Sequence, residues 1–203
     1  NLRMRMIGKL STALTVIVPC AGWLALHKSS MSIWGELSQQ KSAASIPGKM
    51  LAELLIEEAG LKITVQLGAH TGYSPKKKVL TLNDAAMAGM NLGTVALVAH
   101  QIGHLVKPQT RFPLLRGSVR IAFAGAVILG LVSFSPDMPR ELSWAVWVAL
   151  SLLPAKAGLF IADTRASNEG LEQLQKGRFI APDEIDPVKR LLSAIAWIEA
   201  LSP

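Results

Sequence analysis

Three stretches of this chain are almost free of charge, and they limit its possible folds more than anything else in it. Residues 10–26, LSTALTVIVPCAGWLAL, and 121–135, IAFAGAVILGLVSFS, carry no charged side chain. Residues 142–162, LSWAVWVALSLLPAKAGLFIA, carry only Lys156, two positions after Pro154. Runs of this length have to be covered by lipid or by a protein core. Composition tilts the choice: half the chain is hydrophobic, 17% is charged, and the mean hydropathy is +0.36. Each run is therefore expected to be a transmembrane helix. Pro19 would bend the first, and Pro154 and Lys156 would have to face protein or water in the third.

The net charge of +7 fits basic flanks beside such helices better than a nucleic-acid surface. Aromatic residues are only 5% of the chain and interleave with no basic run, so no nucleic-acid partner is expected. The one tight basic cluster, Lys76-Lys77-Lys78, reads as a solvated turn. NLRMRMIGKL, with Arg3, Arg5 and Lys9, reads as the positive flank of an anchor rather than the remnant of a targeting segment. A lone cysteine, Cys20, excludes an internal disulfide and reads as a small buried hydrophobe.

Between the runs lie ordinary signals. Pro47 and Gly60 bracket an amphipathic helix with Met50, Leu51, Leu54 and Leu55 on one face. KITVQLG and VLTLN alternate as strands and predict a hairpin closed by the turn HTGYSPKKK. Asn83 caps the next helix, with Asp84 in its first turn and Gly89 or Gly93 as a break. The chain closes with another amphipathic helix, VKRLLSAIAWIEAL. The fold class expected is mainly α: a membrane-anchored helical protein with about three transmembrane helices and a small β-hairpin beside an HxxxH helix. Its segments are an N-terminal membrane anchor over 1–27, an extramembrane region over 28–118, two transmembrane helices over 119–162, and a C-terminal helical region over 163–203.

The HxxxH stretch is LVAHQIGHLV, 97–106. Residues i and i+4 share a helix face, so His100 and His104 can reach one zinc ion at about 2 Å. In H-E-x-x-H the Glu after the first His takes a proton from the metal-bound water. Here that residue is Gln101. Spacing alone leaves the alternative open that both histidines are hydrogen-bonded core residues. Gly103 lets another backbone or a substrate approach the helix. Zinc also needs a third protein ligand from elsewhere in the chain.

The order of segments, with GYSPKKKVLTLN, VALVAHQIGH and DTRASNEGLEQL as its densest parts, resembles the YugP-like family of membrane-anchored neutral zinc metallopeptidases. The likeness runs from about Trp23 to the C-terminus. In that family the second stretch reads A-A-H-E-x-G-H, and a ligand Glu stands three residues before A-S-x-x-x-L. The register of Ala166, Ser167 and Leu171 sets Asp163 at the ligand position. The resemblance thus implies His100, His104 and Asp163 as metal ligands and Gln101 at the general-base position. Lys107 stands where the family often has Gln. Tyr73, in the turn, is a weaker candidate for binding substrate; a packed turn tyrosine is the simpler reading.

Gln has no basic form, and losing a general base costs on the order of 10²–10⁴ in rate. The expected function is a zinc-metallopeptidase-like integral membrane protein, catalytically inactive, serving as a non-catalytic subunit or scaffold of a membrane complex. Its partners would be lipids and other membrane subunits, with a peptide substrate only if active, and zinc as a possible cofactor. A rival reading is an active membrane zinc endopeptidase seen as a Glu-to-Gln trapped variant; Asp163 argues against it, since trapping leaves ligands alone. A third reading is a basic membrane adaptor with purely structural histidines. The expected location is a bacterial plasma membrane or an organellar one, chloroplast or mitochondrial. Arg111, Arg116, Arg120 and Arg165 place the site on the cytoplasmic, stromal or matrix side.

Overall fold

The computed structural model describes residues 21–22, 24–74, 76–106 and 143–201. The chain divides into two compact units, one of 1–28, 112–159 and 200–203, the other of 29–111 and 160–199. The second unit carries the sheet and the HxxxH pair, His100 and His104.

It opens on a helical stretch, α1, over 24–37, followed by α2, Gly48–Glu58. Pro47 caps α2 and Gly60 adopts φ +64° just past its end, where a side chain would be strained. The buried face of α2 is Leu51, Ala52, Leu55 and Ile56, one residue further round than expected, and Met50 is left exposed.

Three short strands follow: β1, Thr64–Leu67; β2, Gly72–Ser74; and β3, Val79–Leu82. The predicted hairpin of the first and last is corrected by the structure. β1 pairs with β3 in parallel, and the antiparallel neighbour of β3 is β2, a strand inside the expected turn. The order is β1-β3-β2. β3 takes the centre because Val79, Leu80 and Leu82 are all buried, whereas β1 is mostly exposed.

Asn83 begins α3, Asp84–Ala88, and its side chain accepts the Ala86 N–H at 2.9 Å, as its position predicts. The break falls at Gly89. The site helix, α4, then runs Leu92–Val106. Its first donors are all satisfied: Leu92 N–H to Gln40 O, Gly93 N–H to Ser38 O, and Thr94 N–H to Asn91 Oδ1. α4 is buried nearly all round, through Leu92, Val95, Val98, Ile102 and Leu105 among others. Each such side chain contributes about 1.5–3 kcal/mol by leaving water.

The helix α5 spans Ser143–Lys176, and a 3-10 turn, Pro182–Glu184, leads into α6, Ile185–Leu201. Buried Glu184 ties this turn down by accepting the N–H groups of Ala43 at 2.7 Å and Ala181 at 2.9 Å.

The membrane-anchored architecture and the integral-membrane location are not supported. Among the described residues no helix is long and apolar enough to cross a membrane. Residues 143–162 of the expected span belong to α5, a longer helix that runs on through Pro154 and Lys156 into Asp163, Arg165, Glu169 and Glu172. Part of the hydropathy that suggested lipid belongs to α4, whose apolar faces are covered by protein. Residues 121–135, most of 10–26, Cys20 and Lys107 lie outside the described residues.

Candidate metal centre

Four side chains converge in the second unit. His100 and His104 come from α4, Asp163 from α5, and Glu199 from the last turns of α6. One nitrogen or oxygen from each lies within 4.8 Å of every other.

Small residues bring the first two helices together. Gly103 and Gly170 sit where α4 meets α5, and a Cβ on Gly103 would collide with the carbonyl oxygen of Ala166. A Cβ on Gly170 would likewise collide with that of Ala99. Ala99-x-x-x-Gly103 and Ala166-x-x-x-Gly170 thus form reciprocal flat patches through which the backbones touch. The approach that Gly103 was expected to permit is made by another backbone. It sets His100 and His104 against the Asp163–Ser167 turn of α5.

Three of the six separations are those of a coordination shell, and the others stay within 4.8 Å. His100 Nε2 lies 3.2 Å from His104 Nε2, His104 Nε2 lies 3.4 Å from Asp163 Oδ1, and His100 Nε2 lies 3.4 Å from Glu199 Oε1. Four donors about 2.05 Å from a tetrahedral zinc are separated by about 3.3 Å. The two imidazoles meet edge to face, with ring centroids 4.7 Å apart and planes at 88°.

Ser167 fixes which nitrogen of His100 faces the cluster. Its hydroxyl donates to Leu192 O at 3.0 Å, so toward His100 Nδ1, 2.9 Å away, it accepts. The proton of His100 is therefore on Nδ1, and Nε2 presents its lone pair to the other three ligands. His100 is 0% exposed and Asp163 1%. The donor set fits zinc in type and in these separations, and His100, His104, Asp163 and Glu199 are the residues that would hold it.

Other expected positions fall elsewhere. Gln101 follows His100 on α4 and is half-buried. Tyr73 pairs with Leu80 across the sheet and packs on the hydrophobic core. Glu169 is buried, bonded by Gln173 Nε2 at 3.1 Å, and stands outside the four, as its spacing from Asp163 requires.

Glu199 and the role of Ser167 are new. The signal for Glu199 was present: Val188, Leu192, Ile195 and 199 follow helical spacing, so this carboxylate lies on the buried face of α6. α6 is held beside α5 there, where Trp197 stacks on Phe160 with centroids 4.0 Å apart.

A helix-borne HxxxH pair completed by carboxylates from later helices is the arrangement of a metallopeptidase-like metal protein. The family model described as "Putative neutral zinc metallopeptidase" matches residues 12–198, nearly the whole chain, and the chain belongs to that family. The comparisons with curated proteins and with solved structures each gave no match.

Proposed function

We propose that this protein is a non-catalytic member of its family, one that keeps the metal centre and serves as a binding scaffold for other proteins. The observation that carries the reading is the contrast within one helix turn. The ligand atoms of His100 and His104 are in place with Asp163, while the general-base position beside them holds Gln101. Zinc with a coordination position left open to water would act as a Lewis acid and acidify that water. Gln101 can orient such a water by hydrogen bonding but cannot take its proton. The metal's remaining contribution is to tie α4 to α5.

The test is hydrolysis of fluorescently labelled unfolded casein by the zinc-loaded chain, with His100→Ala as the blank. Cleavage no faster than the blank is the expected result; cleavage that depends on His100 would contradict the reading. The rival is an active endopeptidase represented by a trapping exchange, against which Asp163 at the family's Glu position already speaks. It requires that Gln101→Glu give zinc-dependent cleavage. The scaffold reading is tested separately, by whether other proteins stay bound through gentle purification.

A further inference from the structure

Glu199 lies one residue beyond the family match, and its carboxylate stands in the metal cluster. A catalytic zinc site supplies three protein ligands and leaves a fourth position to water, whereas a structural site supplies all four. We infer that Glu199 is the fourth protein ligand, closing the site and converting the metal from a catalytic centre to a structural one. The inference rests on the metal-binding reading above and adds what the fourth position holds.

Three observations point to it. Glu199 Oε1 lies 3.4 Å from His100 Nε2, the same separation as Asp163 Oδ1 from His104 Nε2, so the two carboxylates stand alike toward the two imidazoles. The four ligands also differ in exposure. His100 and Asp163 are at 0% and 1%, His104 at 16%, and Glu199 at 26%. Glu199 is thus the most exposed of the four. Its helix is fixed at two points, by Leu192 O accepting from Ser167 and by Trp197 stacking on Phe160, so the carboxylate is delivered by a positioned element.

The experiment uses the full chain and three variants: Glu199→Ala, the isosteric Glu199→Gln, and His104→Ala as the ligand-loss control. Zinc affinity is measured by competition with a chromophoric chelator. The Co²⁺-loaded forms are then titrated with azide, a small anion that takes an open coordination position. Loss of an outer-shell partner typically weakens a site 10–100-fold, so loss of a ligand is expected to weaken zinc more than about 100-fold in both Glu199 variants. Azide is expected to leave the wild-type Co²⁺ absorption unchanged and to shift that of Glu199→Ala. Wild-type zinc affinity in both Glu199 variants, or an azide shift in the wild type, would overturn the assignment while leaving the metal centre standing. A wild type that takes up no zinc would instead remove the metal-binding reading itself. Should Glu199→Ala fail to fold, Glu199→Gln gives the same affinity readout without loss of volume.

Discussion

At the scale of single residues, the centre depends as much on Ser167 as on the ligands. Ser167 holds His100 in the tautomer that frees Nε2, through one bond accepted and one donated. Ser167→Ala is expected to weaken zinc binding by about 10–100-fold without removing any ligand. Ser167→Thr, which keeps the hydroxyl, should recover most of the loss; a chelator-competition titration of both checks this. The two histidines were legible in the sequence because an i, i+4 pair needs only a helix to be useful. Asp163 was legible only through the register of Ala166, Ser167 and Leu171 with a known family. Glu199 was not found, because one carboxylate in an amphipathic helix looks like a solvated one until its face is compared with that of Val188, Leu192 and Ile195.

Between elements, the α4–α5 contact decides whether the ligands meet. Gly103→Ala puts a methyl group against the backbone of Ala166, which cannot yield as a side chain can. The expected cost is about 1–3 kcal/mol in denaturant unfolding, together with weakened zinc binding. Gly35→Ala is the control, since a Cβ there meets nothing within 4 Å on a helical stretch. It should stabilise by up to about 1 kcal/mol. The sheet shows where pattern reading stops. Alternation located β1 and β3 correctly, but a strand pair carries no mark of its direction. The short β2 was hidden inside a stretch rich in turn residues. Burial settles it in hindsight: the most apolar strand, β3, takes the centre and receives neighbours on both edges.

For the whole molecule, the sequence misled where hydropathy was read as a place rather than as a demand for cover. A helix apolar on all faces needs burial, and protein provides it for α4 as lipid would for a spanning helix. The metal adds a long-range tie of another kind, joining positions 100, 104, 163 and 199, which the chain brings together only on folding. Zinc at 100 times its dissociation constant should therefore stabilise the fold by about 2.7 kcal/mol. In a domain of this size that raises the melting temperature by roughly 5–10 °C, and a chelator should reverse the gain. The most direct measurement is the metal content of the gently purified chain by elemental analysis, with His100→Ala beside it. Close to one zinc ion per chain is expected in the wild type and none in the variant. A wild type without zinc, or a variant that retains it, would contradict the claim that these four side chains form a metal centre.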